Sequence, residues 1–160
     1  MKEKPTEKKV ETITPLVSNR QARHAYEILE TFETGMELVG CEVKSLRAHQ
    51  AVLQDSYALI KNGEMVILNL QITPYPQGNR QNPDPTRSRR LLMHKHEITR
   101  LAGKVAQKGL TLVPLSIYLK GRHVKLELAL ARGRHTFDKK EVLKERDIKR
   151  ESDRQLRGKV

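Results

Sequence analysis

This chain of 160 residues is poor in several residue types on which whole classes of protein depend. Cys41 is its single cysteine, so an intramolecular disulfide or a Cys-x-x-Cys metal site is excluded, and we expect a small, inert side chain there. No stretch approaches the ~18 consecutive apolar residues of a membrane-spanning helix. The first residues have no apolar segment of the kind that a signal peptide needs. We therefore expect a soluble, cytoplasmic protein without a membrane partner.

Aromatic residues are also scarce, at 4% of the chain, and tryptophan is absent. Proteins that bind single-stranded nucleic acid commonly stack the bases on exposed aromatic rings. Tyr26 and Phe32 lie on an apolar stripe and are expected in the core, so an aromatic stacking platform is not expected. Recognition of a folded RNA by its shape and by basic loops suits this composition better.

Catalytic motifs are missing as well, since the chain has no glycine-rich phosphate loop, no Gly-x-Ser-x-Gly and no His-Glu-x-x-His. His94-x-His96 lacks a third ligand at helical spacing, so we expect no metal and no cofactor. Most carboxylates alternate with Lys and Arg, as on solvated helix faces. We expect a binding protein and not an enzyme, although a metal-dependent nuclease using Glu33 and Glu42 stays open as an alternative.

Positive charge is what the chain has in excess. Lys and Arg number 31 against 19 Asp and Glu, which gives a net charge of +12 and an isoelectric point of about 10.0. Such a basic chain favours a polyanionic partner, which is RNA, DNA or an anionic membrane surface.

Hydrophobic periodicity predicts a strand followed by a short helix within residues 19–47. Even positions from Tyr26 to Leu38 are mostly apolar, which is the period of a half-buried strand. After Gly40 the period becomes helical, with Val39, Val43 and Leu46 on one face. Lys44 and Ser45 are then predicted to point away from that face, with Arg47 at its side.

The next segments predict two hairpins with a helix between them. Asn62-Gly63 separates a strand at 56–60 from an alternating stretch, and this dipeptide is typical of a tight hairpin turn. A helix is predicted from His94 to Gly109, followed by strands on either side of Gly121. We predict a bulge or kink near Pro114. Roughly six strands and two helices follow from these patterns, with alternating apolar positions after the Asn-Gly turn at Val66, Leu68, Leu70 and Ile72.

Three segments outside this pattern are polar. Residues 1–18 are predicted to be a disordered arm, which leaves 19–137 as the folded domain. The basic loop 76–90 is either a phosphate-contacting segment or a solvated loop. Residues 138–160 form a charged tail, and between 138 and 157 it has eight basic and six acidic residues. Its few apolar residues cannot stabilise an independent helix, so we expect disorder in isolation and a helix on a partner.

A long colinear set of motifs resembles the SsrA-binding protein family (small protein B), the partner of transfer-messenger RNA in bacterial ribosome rescue. The resemblance covers roughly residues 19–150 and is therefore far more specific than any one motif. It rests on Asn19-x-x-Ala22-Arg23-His24-x-Tyr26, Gly40-x-Glu42-Val43-Lys44-Ser45-Leu46-Arg47, Asp55-Ser56-Tyr57, Ile72-Thr73-Pro74, Asp84-Pro85-Thr86-Arg87, Arg90-Leu91-Leu92, Gly103-x-Val105, and Ala131-x-Gly133 ahead of Asp138-Lys139-Lys140.

The resemblance implies a mainly β fold with helices. Periodicity by itself justifies only a small β-barrel or an α+β domain. The family sharpens this to a small closed antiparallel OB-like β-barrel flanked by two or three helices, plus the charged C-terminal tail. That tail is expected to fold in the vacant messenger channel of the small ribosomal subunit.

The implied function is binding of the tRNA-like domain of transfer-messenger RNA and its delivery, with elongation factor Tu, to stalled ribosomes for trans-translation. We expect a monomer whose ribosomal contacts are the small-subunit decoding region and messenger channel. The alternative is a generic OB-fold RNA-binding or ribosome-associated protein.

Candidate site residues come from two sources. The resemblance implies RNA-binding roles for Asn19, Glu33 and Leu92. Basic side chains in the same region are candidates for RNA contact, namely Arg20, Arg23, His24, Lys44, Arg47 and Lys125. The start of the ribosome-engaging tail matches at Gly133, Arg134, Asp138, Lys139 and Lys140, whereas His135 departs from the lysine usual in the family.

Overall fold

The computed structural model describes residues 11–77, 82–107, 109–134 and 136–158, with side chains of 136–143 left out. Predictions that concern residues 1–10, loop residues 78–81, Lys108, His135 and 159–160 therefore lie outside the described residues. Within the described ranges the elements are β1 (Ile13–Ser18), α1 (Arg20–Ala25), β2 (Tyr26–Met36), α2 (Gly40–Arg47), β3 (Ala51–Val52), β4 (Tyr57–Lys61), β5 (Glu64–Leu68), β6 (Gln71–Ile72), β7 (Arg89–Leu92), α3 (Lys95–Val105), β8 (Leu110–Lys120), β9 (His123–Gly133) and α4 (Thr136–Arg157).

Six strands close into an antiparallel ring. The long strand β8 pairs with β9 along one edge and with β4 and β1 along the other. From β4 the hydrogen-bonded order runs through β5, β7 and β2 back to β9. Closure leaves no free edges in the ring, which is how a small β protein avoids edge-to-edge association. The predicted mainly β fold, a closed antiparallel barrel flanked by helices, is confirmed.

The barrel interior holds most of the apolar core. Its fully buried side chains come mainly from four strands, β5, β7, β8 and β9, and from α2 and α3, and burying each stabilises the fold by about 1.5–3 kcal/mol. The predicted apolar stripe of α3 is confirmed at Ile98 and Leu101, which both belong to this core. Fully buried members include Leu46, Met65, Ile67, Leu91, Leu101, Leu112, Ile117 and Leu126.

The Asn-Gly turn forms as predicted, but the strand after it is shorter than predicted. Asn62 and Gly63 have φ values of 52° and 75°, the left-handed conformations that this turn requires. The predicted alternation from Val66 to Ile72 is wrong in its first half, where Met65 and Ile67 are buried instead. Asn69 has a φ of 60°, and after it the buried side chains are at even positions instead of odd ones. Leu70 and Ile72 therefore point into the core. Ile72 then belongs to β6, in a separate two-stranded sheet with β3.

The N-terminal boundary predicted at residue 19 is wrong for residues 13–18, which form the strand β1. This strand pairs antiparallel with the outer half of β8, and its Leu16 is buried. Pro15 is tolerated because β1 is an edge strand and its register shifts just after that residue. Residues 13–18 contain too few apolar residues to form a strand alone. They form one here because β8 supplies backbone hydrogen-bond partners.

The short helices also differ from prediction. On α2, Ser45 is buried and Val39 exposed, the reverse of the predicted orientation, whereas Leu46 is buried as predicted. The helix α1 had no periodic signal because it is only six residues long. The bulge predicted near Pro114 is confirmed by a register shift between Pro114 and Ser116.

The tail forms one helix, α4, and its described side chains from 144 to 157 are exposed. Ile148 and Leu156, its apolar residues in that range, are 66% and 74% exposed. The part of the helix whose side chains are described, residues 144–157, therefore buries almost no surface against the barrel. Its dependence on a partner for stable folding stays a prediction.

Candidate nucleic-acid interface

Strands β2, β9 and β8 present one polar surface on the outside of the barrel, called here the barrel face. It is formed by outward residues of three neighbouring strands, because β9 lies between β2 and β8. Glu33 on β2 is the register partner of Glu127 on β9, and Gly35 is the partner of Lys125. Across the other edge of β9, Lys125 faces Tyr118 and Glu127 faces Ser116. These pairings fix the order of charges on the face.

Glu33 is held in the barrel face as an oriented carboxylate. The Tyr118 hydroxyl donates to Glu33 Oε2 at 2.5 Å, and Lys120 Nζ donates to Oε1 at 3.2 Å. The Tyr118 hydrogen bond, followed by the Lys120 interaction, lowers the pKa of Glu33, even though partial burial opposes this. The side chain is 40% exposed, so an ionised acceptor with a fixed direction remains accessible from solvent.

A second carboxylate lies directly opposite the first. Like charges at facing positions of a sheet destabilise it unless cations compensate them. Glu127 accepts from the Ser116 hydroxyl at 3.0 Å, and Arg23 Nη2 lies 3.7 Å from its Oε2. Arg23, Lys120 and Lys125 thus surround the two glutamates. The arrangement offers hydrogen-bond acceptors within a cationic rim, which suits the hydroxyls, amines and phosphates of RNA.

Asn19 caps α1, the short helix with three exposed basic side chains, and holds it against the barrel. Its Oδ1 accepts from the backbone N–H of Ala22 at 3.2 Å, an N-cap that starts α1. Its Nδ2 donates to the carbonyls of Pro114 at 3.1 Å and Leu53 at 3.4 Å. Asn19 is only 7% exposed, and its polar atoms are already engaged within the protein. The exposed basic side chains of α1 are Arg20, Arg23 and His24.

Leu92 lies at the edge of the barrel face. It is 47% exposed, and it is the register partner of Gly35. Gly35 also faces Lys125 on β9, so Leu92 and Lys125 flank the same position of β2. The structure therefore brings Glu33, Leu92 and Lys125 onto one surface.

Lys44 and Arg47 lie on α2, beside this surface and not within it. Both are exposed. Lys44 Nζ is 5.3 Å from the ring centroid of Tyr75, a cation–π contact that directs its ammonium group toward the segment before the basic loop.

Glu42 has a different role from the one that a metal-dependent nuclease would need. Its side chain is 3% exposed and accepts from Arg89 Nε at 2.5 Å, from Arg87 Nε at 3.2 Å and from the Val39 amide at 3.2 Å. Burial raises the pKa of Glu42, but the hydrogen bonds from Arg87, Val39 and Arg89 outweigh it, so the pKa is lowered overall. This carboxylate is fully engaged and cannot pair with Glu33 on a metal. Within the described ranges, no group of three or more His, Cys, Asp and Glu is placed to hold a metal ion.

The tail leaves the barrel next to α1. Gly133 ends β9 as the register partner of Tyr26, and the Arg134 amide donates to the Ala25 carbonyl at 3.1 Å. Further along α4, Arg146 Nη2 lies 3.0 Å from His24 Nδ1. The backbone of Asp138, Lys139 and Lys140 is helical, and their side chains lie outside the described residues.

Sequence reasoning missed part of this interface. Tyr118 and Glu127 fall in the strands predicted on either side of Gly121, Lys120 falls in the turn between them, and none of these residues, nor Gly35, was predicted to belong to the site. Their polar parity in β8 and β9 could have marked them as outward-facing. Their proximity to Glu33 depends on the register of three strands, which single-strand periodicity does not give.

No helix in the described part of the chain is both long and apolar enough to cross a membrane.

Comparison with known proteins identifies the family. A family model described as SmpB protein matches residues 16–158. The SsrA-binding protein of Pelotomaculum thermopropionicum is 53% identical over 145 residues, which cover 91% of this chain and 95% of that protein. The SsrA-binding protein of Desulforamulus reducens is 54% identical over 153 residues, covering 95% and 93%. A chain of the solved structure "tmRNA-SmpB: a journey to the center of the bacterial ribosome" is 52% identical with a TM-score of 0.66, covering 81% of this chain and 94% of that one. The chain therefore belongs to the SsrA-binding protein (SmpB) family.

Proposed function

We propose that this protein binds the tRNA-like domain of transfer-messenger RNA and delivers it to stalled ribosomes for trans-translation. The observation that supports this most directly is the barrel face, where Glu33 is held ionised and oriented among Arg23, Lys120 and Lys125. Membership of the SsrA-binding protein family indicates which RNA is bound. A relative with 52% identity comes from the solved structure "tmRNA-SmpB: a journey to the center of the bacterial ribosome". The protein acts as a cytoplasmic, monomeric RNA-binding protein without a cofactor, and not as an enzyme.

Within this function the predicted site residues divide into contacts and supports. Glu33 accepts hydrogen bonds from base or sugar donors, and Leu92 makes apolar contact. Lys125 and the exposed basic side chains of α1 contact phosphates, because counterion release makes such contacts the main source of affinity. Asn19 acts as a positioning residue, since its amide caps α1 and anchors it to the barrel. Lys44 and Arg47 extend the basic surface along α2.

The tail is proposed to detect whether the messenger channel of the small ribosomal subunit is empty. Its described side chains, from 144 to 157, are exposed and mostly charged, which suits insertion into the vacant messenger channel. Gly133 and Arg134 start this segment beside α1, and Asp138, Lys139 and Lys140 follow in its first turns. Elongation factor Tu is the proposed third member of the delivery complex.

The test is a reconstituted bacterial translation reaction on a message that lacks a stop codon. The reaction contains aminoacylated transfer-messenger RNA and elongation factor Tu, with or without this protein, and the readout is the peptide tag on the nascent chain. We expect tagging only when the protein is present. RNA binding without tagging would favour a generic RNA-binding protein, and protein-dependent cleavage of the RNA would favour an RNA-processing enzyme.

A further inference from the structure

A pocket opens beside α1, away from the basic side chains that this helix presents. Its walls are one side of α1, the turn that precedes β4 and the start of β8. Its volume is about 320 Å³. This is at the lower end of the roughly 300–1,000 Å³ of ligand pockets, so the pocket suits one large side chain of a partner. It is named here the Tyr57 pocket.

The helix α1 separates this pocket from the basic surface. Residues three and four positions apart lie on the same side of a helix, so Arg20, Arg23 and His24 share one side of α1. Gln21 and Ala25 share the other side, and both line the pocket. One short helix thus presents a cationic side and a neutral side to two different surroundings.

The Tyr57 pocket carries no positive charge of its own, although the chain has 31 Lys and Arg among 160 residues. None of the described residues that line it is Lys or Arg, and its one charged side chain is Asp55. Asp55 is exposed, and within the described ranges its carboxylate makes no hydrogen bond or ion pair. A phosphate placed here would meet a like charge and no cation, so the electrostatics of the pocket favour a cationic occupant.

The backbone indicates that Asp55 does not serve the fold. Its φ is 62°, a left-handed conformation that glycine adopts at the least cost. No contact of its side chain with the described residues offsets this cost. Backbone conformations of this kind are concentrated at functional sites, which supports a role in binding for the carboxylate.

We propose that the Tyr57 pocket binds the side chain of an exposed arginine on a basic protein partner. The planar guanidinium stacks on the ring of Tyr57, which is 39% exposed, and donates to the Asp55 carboxylate. The side-chain oxygens of Gln21 and Gln54 accept its remaining N–H groups. Lysine is a poorer occupant, because its ammonium group can neither stack as a plane nor donate in a fork.

A protein bound in this pocket would also contact the residues that anchor the tail. Ala25, in the pocket wall, accepts from the Arg134 amide at 3.1 Å. Tyr26, also in the wall, is the register partner of Gly133. The partner would therefore be placed at the point where the tail leaves the barrel.

The first experiment is an NMR titration of the full-length protein with the peptide acetyl-Gly-Arg-Gly-amide. The matched probe has citrulline in place of arginine, which keeps the shape and removes the charge. The protein variants are Asp55→Asn, which removes only the charge, and Asp55→Gly, which also suits the left-handed backbone. Glu64→Gln is the control, because Glu64 is a 54% exposed carboxylate that does not line the pocket.

We expect the arginine peptide to cause saturable shifts of the Ala22 and Ala25 methyl groups and of the Tyr57 ring. Citrulline, or Asp55→Asn, should weaken binding by about tenfold, the effect of losing one charge-assisted hydrogen bond. Asp55→Gly should lose binding equally while its Tm stays constant or rises slightly, which a structural role of Asp55 would not allow. Glu64→Gln should bind as the wild type does.

Three results would overturn the inference. Equal binding of the arginine and citrulline peptides would show that charge does not select the occupant. Saturable binding of adenosine at the same groups, without binding of the arginine peptide, would assign the pocket to a nucleobase. Tighter binding of spermidine than of the arginine peptide would assign it to a free polyamine.

A cross-linking experiment tests the class of partner. Gln54 is replaced by p-benzoylphenylalanine, and the protein is irradiated on purified stalled ribosomes with transfer-messenger RNA. We expect cross-links to an arginine-containing segment of a protein, with lower yield when Asp55→Asn is also present. Cross-links to RNA alone would refute the inference. This arm rests on the proposed function, and failure to join the ribosome would refute that function, whereas the titration is independent of it and decides the inference separately.

Discussion

At the scale of single residues, Glu33 is the least expected part of an interface for a polyanion. The chain carries a net charge of +12, yet this carboxylate is kept ionised by Tyr118 and Lys120 on the surface proposed for RNA. Simple electrostatics would favour its removal. Its fixed direction is better explained by a specific acceptor role, since an oriented carboxylate can select base or sugar donors.

The substitution Glu33→Ala is therefore expected to weaken binding of the tRNA-like RNA by about tenfold, the effect of one lost charge-assisted hydrogen bond. Glu64→Ala is the control, because Glu64 is 54% exposed on the β4–β5 hairpin, outside the barrel face, with its Oε1 3.4 Å from Arg90 Nη1. That control should leave affinity unchanged or slightly higher. Gel-shift or calorimetric titration measures both, and tighter binding of Glu33→Ala would refute the specific contact.

Tyr118 is expected to act through Glu33 as a positioning residue. Tyr118→Phe removes the hydroxyl that donates to Glu33 but changes no charge, so affinity should fall about threefold to tenfold while the slope of affinity against salt stays constant. Lys125→Met is the contrasting variant, because losing a phosphate contact should reduce that slope by about one. A changed slope in Tyr118→Phe would contradict the positioning role.

At the scale of elements, the buried charge cluster of Glu42 joins α2 to the segment before β7. Arg89 has no exposed surface, and its guanidinium also donates to the carbonyls of Leu70 at 2.7 Å and Pro85 at 3.1 Å. Every polar atom of such a cluster needs a partner, because an unpaired charge in the interior is costly. The cluster therefore sets where α2, with Lys44 and Arg47, stands relative to Leu92 on β7.

Glu42→Gln is expected to lower the free energy of unfolding by about 3–5 kcal/mol at neutral pH, because it leaves the buried guanidinium of Arg89 without its counter-charge. The pKa of Glu42 is lowered by folding, so its stabilisation is present above its ordinary value of 4.5 and is lost as pH falls through the folded-state value. The difference between wild type and variant should therefore shrink below about pH 4.

Urea denaturation across pH measures this effect. Glu37→Gln is the control, because Glu37 is 64% exposed and its ion pair with Arg90 is long, with 3.9 Å between Oε2 and Nε. Its substitution should change stability by less than about 0.5 kcal/mol. A Glu42→Gln difference that stays constant from pH 7 to pH 3 would contradict the ionic explanation.

The elements also show what the sequence could predict. The hairpin at Asn62-Gly63 and the bulge near Pro114 were predictable, because each depends on local backbone chemistry. The strand β1 and the helix α1 were not, because both depend on distant partners, β8 for the strand and the Pro114 and Leu53 carbonyls for Asn19. The candidate site followed the same division. Glu33, Leu92 and Lys125 were identified, but the Tyr118 contact with Glu33 needed the register of the barrel.

At the scale of the whole molecule, a closed barrel and an exposed charged helix suggest two separable activities. Between 138 and 157 the tail has eight basic and six acidic residues, so it adds little net charge to the RNA-binding surface. The barrel face lies on β2, β8 and β9, none of which includes any of residues 138–160.

Deleting residues 138–160 is therefore expected to change affinity for the tRNA-like RNA by less than about threefold, since the phosphate contacts assigned to the barrel face remain. The same deletion should abolish peptide tagging on ribosomes stalled without a stop codon. Binding is measured by titration and tagging by reconstituted translation. Equal loss of both activities would contradict the division into two modules.

The central claim, shape-specific recognition of a tRNA-like RNA, is tested most directly by one binding comparison across a salt series. The full chain is titrated with the tRNA-like domain of transfer-messenger RNA and with an unrelated hairpin of equal length. Both affinities should fall as salt rises, with a slope that corresponds to roughly four to eight phosphate contacts. We predict that the tRNA-like RNA keeps a large advantage at high salt, because the acceptor and apolar contacts of the barrel face are not screened. Coinciding curves would show that the net charge of +12 alone explains binding.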